Sequence, residues 1–470
     1  MIYDIAIVGN GIVGTLAAYE LKKKNSLLKI CLIGPDSRNY SATMAAGAMN
    51  AVYGEVEENF DDSIHAKTDF KIALNARKGW IKLLEKIRKK NLVYCNDTIF
   101  YAKKNGTSFE RKNFEKAVEV AKKNKCLSNL TNAEIQNIFC GSILPDQFDA
   151  FKLKGEFCIN PINLFKVLDN ENKQIKKVNS FCKKINFNNN KFYITLSNNE
   201  IICSNKLLMA AGSESSRLLS DVAKVIPIVK GIGTALIIKL QKNHVLKNYV
   251  VRTTNRGGAQ CGIHIVPYLN GQFYIGAGNY VADIEFDKLL KDELSFRTET
   301  VRWLIETTEK EILGKKSIYF SKFKILQGFR PKSIDGLPLI GNTKVNKNIF
   351  VASGTNRVGF TFAPAIVNEI SNWFFEKDKN DLFKYYVPDR KVQSWGSINK
   401  AKKYFSESRY SNLLEHNIIK ISNEKQKISK LKQLENLAFK MNSRVKKKFK
   451  IKNKNFTIDP DCYSVILKHE

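Results

Sequence analysis

The chain has 470 residues, 43% of them hydrophobic, and carries a formal net charge of +32. That is enough apolar material for two to three domains with a sizeable core, which excludes a disordered or fibrous chain. No apolar run approaches the roughly 20 residues a membrane helix needs, and Ile2 to Val8 is too short and too poorly flanked for a signal peptide, so a cytoplasmic location is expected.

In chain order, Asp4 to Val8 is an apolar run suited to a buried parallel strand, and Ile12 to Lys22 carries helical periodicity. Between them stand Gly9, Gly11 and Gly14 of "IAIVGNGIVG". Gly9 permits a tight turn, Gly11 lets the backbone approach a pyrophosphate, and Gly14 lets helix and strand pack closely; the helix opening at Ile12 and Val13 offers N–H groups to the anion. Leu28 to Ile33 supplies a second strand. The acidic residue expected at its end, for the ribose hydroxyls, is replaced by Gly34; Asp36, two residues on, either reaches the ribose or caps the turn after Pro35.

Further along, Leu74 to Lys90 and Asn113 to Lys123 read as amphipathic helices, and Lys191 to Leu196 and Glu200 to Cys203 as strands around an "SNN" turn. "KLLMAAGSESSRLL", Lys206 to Leu219, is strand, glycine turn and helix, in which Ala210, Ala211 and Gly212 let the chain pass close to something bulky. Val225 to Ala277 alternates as an antiparallel sheet does. "NIFVASGTNRVGFTFAPAIVNEI", Asn348 to Ile370, repeats the strand-turn-helix arrangement through Gly354 and Gly359; Val358, Gly359, Phe360 and Thr361 form a first helical turn that presents N–H groups. Three such returns suit a long, permanently held cofactor better than an exchanging nicotinamide.

Nine cysteines (Cys31, Cys95, Cys126, Cys140, Cys158, Cys182, Cys203, Cys261 and Cys462) include no C-x-x-C pair, and five histidines (His65, His244, His264, His416 and His469) lack ligand spacing. Neither a disulfide framework nor a metal is expected. The lysine excess reads either as composition or as a field for phosphates, acidic lipids or anionic substrates. Near the C-terminus Arg444, Lys446, Lys447, Lys448, Lys450, Lys452 and Lys454 form a basic block that suits a membrane surface, RNA or a solvated tail.

Taken together, "IAIVGNGIVG", "SATMAAGAMN", "GEFCINPINLFKVL", "LLMAAGSESSRLL", "IVPYLNGQFYIGAG", "GFRPKSIDGLPLIG" and "FVASGTNRVGFTFAPA" resemble, in this order, the D-amino acid oxidase superfamily of FAD-dependent oxidoreductases, closest to its glycine oxidase and sarcosine oxidase-like members. The resemblance spans roughly the first 375 residues. It implies an α/β fold in which a Rossmann-type FAD domain (1–80, 150–220 and 325–380) is interleaved with an antiparallel-sheet substrate domain (81–149 and 221–324). A basic, helical extension over 381–470 would follow.

The resemblance also implies amine oxidation: a hydride passes from the carbon beside a neutral amine to flavin N5, water hydrolyses the imine, and electrons leave to O2 or another acceptor. The cofactor carries the difficult electronics, so no nucleophile or dyad is needed. An arginine fork suits the substrate carboxylate; Arg330 in "GFRP" and Arg357 in "GTNRVGF" match the family's carboxylate-binding arginines. His264 stands where relatives often place a tyrosine. It is either a core histidine or a cavity group that binds an anion or tunes the amine near neutral pH. Ser41, Thr43, Ala46 and Gly47 would lie against pyrophosphate and isoalloxazine, and Cys182 against adenine. Gly328, near where sarcosine oxidases carry the flavin-linked cysteine, implies dissociable FAD. Two other readings share these motifs: a hydroxy-acid dehydrogenase feeding a quinone, and a tRNA-modifying FAD oxidoreductase.

Overall fold

The structure is a computed structural model; it describes all residues except 88–91, 93, 140–146, 240–244, 258–261, 283–296, 314–322, 379, 454 and 464–470. Cys140, His244, Cys261, Lys454 and His469 therefore lie outside the described residues, as do the last residues of the helix expected to reach Lys90.

Two sheets organise the chain. In the first, the strand Ile2–Val8 lies between the parallel strands Ile30–Ile33 and Ile201–Met209. Ile349–Ser353 continues the sheet in parallel beyond Ile201–Met209, and Lys176–Val178 does so beyond Ile30–Ile33. Apart from its edge, Ile2–Val8 is covered on both faces, which explains its near-continuous apolar reading. The expected strand at Glu200 and the "KLLM" run are one element, Ile201–Met209, joined to the hairpin Cys182–Asn188 and Lys191–Leu196.

The second sheet runs in the order Phe323–Ser333, Ile228–Lys239, Gln272–Ala282, His264–Pro267, Tyr249–Thr253, Tyr94–Lys103, Phe148–Ile159 and Met49–Asn50. It is mainly antiparallel, but Tyr249–Thr253 runs parallel to Tyr94–Lys103. Met49–Asn50 and most of Phe148–Ile159 and Phe323–Ser333 come from stretches the resemblance gives to the nucleotide domain.

Helix packing explains two sequence details. The helix Gly359–Phe374 contains Pro364, which has no N–H for the carbonyl of Phe360. The indole Nε1 of Trp80 donates to that carbonyl instead (3.1 Å), with its ring stacked on Phe360. Gly79 permits the approach, because a Cβ there would sit 2.6 Å from Pro364. Trp80 belongs to the helix Ile64–Ile87, which starts ten residues before the expected Leu74 because its first turns pack through Thr68, Ile72 and Ala73. The helix expected at Asn113 likewise begins at Ser108, capped by the Thr107 hydroxyl accepting from the N–H of Glu110.

The extension is helical, in Ile398–Glu415 and Glu424–Lys448, and it packs on the body. Phe405, Ala438, Met441, Val445 and Cys462 share a core with Ile349, Val351 and Leu339 of the first sheet.

Candidate active site

The parallel strands end together. Gly9 follows Ile2–Val8, Ala210 to Gly212 follow Ile201–Met209, and Gly354 follows Ile349–Ser353, placing all three turns at the carboxyl edge where doubly wound sheets bind ligands. Gly9 adopts φ +111°, and a Cβ on it would strike the carbonyl of Ala210. The Ser353 hydroxyl donates to the Gly212 carbonyl at 2.7 Å.

A cleft of about 2000 Å³, counting its open mouth, runs from these turns to the second sheet. Gly9, Gly11, Ile12, Val13, Ser41, Thr43, Ala46, Gly47, Cys182, Ala211, Gly212, Val358, Gly359, Phe360 and Thr361 line it, as do His264, Arg330 and Arg357. Three predicted residues do not. Gly14 lies beneath, where a Cβ would strike the Gly9 carbonyl. Gly354, at φ +69° and packed on Leu339, lines a neighbouring cavity. Asp36 is exposed and lines a small neighbouring cleft with Asp169 and Lys177, which shares Asn10, Gly34 and Arg38 with the large one.

The cleft fits a dinucleotide. The helix Ile12–Lys24 has Gly11 as its N-cap and no cap from that residue's side chain, so the N–H groups of its first turn beyond Ile12 are left for an anion. A Cβ built on Gly11 meets only Thr43 Oγ1, at 3.5 Å. Thr43 Oγ1 accepts from the N–H of Ile12 (3.2 Å) and Ser41 Oγ from that of Met44 (3.2 Å), which leaves each hydroxyl proton to donate to phosphate. The helix Gly359–Phe374 likewise starts without a side-chain cap. Burial pushes the Cys182 thiol up to about 12, so it stays protonated and unreactive.

At the other end the second sheet forms a glycine-rich floor. The Arg330 guanidinium lies across Gly233, where a built Cβ would be 3.0 Å from its Nε. His264 is buried, with Nδ1 3.0 Å from the Gly262 carbonyl and its ring stacked on Tyr274, whose hydroxyl donates to the Ala45 carbonyl at 2.9 Å. A carbonyl only accepts, so Nδ1 carries the proton and Nε2 is the acceptor, on the side facing Gly47. Burial, reinforced by Arg252 and Arg330, holds this histidine down to about 3. Burial therefore favours the neutral form of His264 near neutral pH.

Arg357 is engaged. Its Nε lies 2.7 Å from Glu55 and a terminal nitrogen 2.7 Å from Glu57, while Arg252 holds the other Glu55 oxygen at 2.9 Å. Burial favours a protonated Glu55, but Arg357 and Arg252 outweigh it and hold the carboxyl at about 2. Glu55 is presented by a loop whose N–H groups at Val52, Tyr53 and Gly54 all donate to Glu156 Oε1. Sequence reasoning missed Glu55, Glu57, Arg252, Glu156, Tyr274 and Asn10. "QFYIGAG" hinted at Tyr274, and Glu156 stands inside "GEFCINPINLFKVL" without a role being read for it; Glu55 and Glu57 lie in a stretch without motif or periodicity.

The sequence matches the family described as FAD dependent oxidoreductase (DAO) over residues 4–373, and the protein belongs to that family. No curated protein matches it significantly. The fold is shared with glycine oxidase from Geobacillus kaustophilus (17% identity, TM-score 0.68, covering 83% of this chain and 99% of that one). It is shared also with iminodiacetate oxidase from Chelativorans sp. BNC1 (15%, 0.66, 82% and 99%). A third is L-alpha-glycerophosphate oxidase from Mycoplasma pneumoniae with FAD bound (17%, 0.63, 84% and 99%). The protein is an FAD-dependent oxidoreductase. No described helix is long and apolar enough to cross a membrane.

Proposed function

We propose that the protein oxidises a small amine or amino acid carrying a single carboxylate, with non-covalent FAD. The observation that carries this reading is Arg330 laid over the Gly233 floor, in the same cleft as a neutral, accepting His264. Arg330 would hold the carboxylate through two parallel N–H···O bonds. His264 Nε2 would accept from the amine N–H, which orients the nitrogen and fixes the adjacent C–H. Arg357, already matched by Glu55 and Glu57, would not grip a second anion. FAD, when bound, supplies the two-electron acceptor; water completes hydrolysis of the imine product, and O2 or another acceptor takes the electrons.

Anaerobic reduction of the yellow protein by a panel of substrates tests this. Monocarboxylate amines should bleach the flavin, with dicarboxylate amines and hydroxy acids slower by about tenfold or more. Bleaching by hydroxy acids alone would transfer the site to hydroxy-acid oxidation. The exposed Lys447, Lys450 and Lys452 at the end of the last helix serve in this reading as a solvated face. Salt-sensitive retention on tRNA or anionic vesicles would overturn that role.

A further inference from the structure

The fold places an acidic residue at the end of the second strand, about 20 residues after the last glycine of the turn, to bind the adenosine ribose. Here that position is Gly34. We infer that Asn10, the residue between the first two glycines, takes over ribose recognition through its side-chain Oδ1.

Asn10 and a side chain at 34 compete for one space. A Cβ built on Gly34 would lie 2.5 Å from both Cγ and Oδ1 of Asn10 and 3.0 Å from its Cβ. Both residues line the cleft. The Asn10 amide is oriented, because Nδ2 donates to the Pro35 carbonyl at 2.8 Å, and this leaves Oδ1 as the accepting end. Its backbone is fixed as well: the Asn10 carbonyl accepts from Thr15 Oγ1 (2.8 Å) and from Arg38 Nε (3.0 Å). Arg38 is in turn held by a bidentate pair to Asp169, at 3.0 and 2.8 Å, and lies over the Phe165 ring. Asp36, the other side-chain acceptor nearby, is exposed and borders only the small cleft, whereas Asn10 and Gly34 border both that cleft and the large one. The carboxylate of the usual arrangement is thus exchanged for a neutral amide carried by the preceding turn, and Gly34 is the vacancy that admits it.

The test is binding of FAD and of its 2′-deoxyadenosine and 3′-deoxyadenosine analogues to the FAD-stripped full-length protein, read by quenching of flavin fluorescence. The parent should bind at least one analogue several-fold to about tenfold more weakly than FAD, the size of one hydrogen bond to a neutral acceptor. Asn10→Ala should lower FAD affinity to the level of that analogue and leave the analogue's own affinity unchanged. Gly34→Glu alone should weaken FAD binding by overcrowding, and Asn10→Gly combined with Gly34→Glu should recover it. Equal affinities of the parent for all three ligands would overturn the inference. So would an Asn10→Ala variant that keeps its preference for FAD, or loses affinity for FAD and analogue alike.

Discussion

Two arginine centres in this molecule show how one residue type serves opposite ends. Arg256 is almost fully buried and is met by Glu110, Glu311 and Glu415 at 2.9, 2.8 and 2.9 Å. These carboxylates come from the helix Ser108–Lys123, the turn Glu309–Leu313 and the end of the helix Ile398–Glu415, so a single guanidinium ties the C-terminal extension to two elements from earlier in the chain. Lys103 adds a second cation, 2.9 Å from Glu311 and 3.4 Å from Glu415. Arg330, in contrast, borders the cleft and rests on glycine. The carboxylates around Arg256 build structure, whereas in the proposed function Arg330 meets the substrate. Arg357 stands between the two cases, lining the cleft yet held by two carboxylates.

That contrast can be broken by mutation. The largest effect is expected at Arg256→Ala, which leaves three buried carboxylates without their main cation and should cost about 3–5 kcal/mol of stability. Urea or thermal unfolding would show it, and a loss below about 1 kcal/mol would mean that the cluster is not the clasp described. Next, Arg330→Ala should reduce kcat/KM for carboxylate-bearing amines by about 10²-fold while FAD content and unfolding midpoint stay at parental values. A smaller change is expected when Glu55→Gln and Glu57→Gln are combined. Releasing Arg357 should raise the rate with dicarboxylate amines relative to monocarboxylates by about tenfold.

The last effect, spread over several pH units, concerns pH. Burial depresses His264 from 6.5 to about 3 and so favours its neutral form in the fold, which leaves the unfolded chain to take up the extra proton as the pH falls. Its contribution to stability is complete above pH 6.5 and is lost as the pH falls toward 3, with a slope of at most about 1.4 kcal/mol per pH unit. His264→Gln should flatten the decline in urea midpoint over that window; an unchanged slope would show that the imidazole is already protonated in the fold.

Much of the fold could be read from the chain because its signals are local. The apolar run into Gly9, Gly11 and Gly14 encodes strand, turn and helix within neighbouring residues, and the same holds for "LLMAAG" and "FVASGT". The early start of Ile64–Ile87 was less legible, since its first turns are buried by tertiary contacts and not by a strong apolar stripe. In the site, Arg330 and His264 were visible as residue types in motif positions, whereas the partners that decide their behaviour were not. Glu55 reaches Arg357 across 302 residues and Arg252 across 197, separations over which sequence carries no periodicity.

By itself the sequence determined the nucleotide-binding turn, its repetition at three strand ends, and the residue types available to the chemistry, because these depend on spacing within one strand-turn-helix unit. Only the tertiary structure decided that Arg357 meets Glu55 and Glu57 while Arg330 lies over Gly233, that His264 is buried with Nδ1 on a carbonyl, and that Asn10 fills the space beside Gly34. Charge state and accessibility depend on partners brought from distant parts of the chain and on the water they exclude, and neither is written in any single segment.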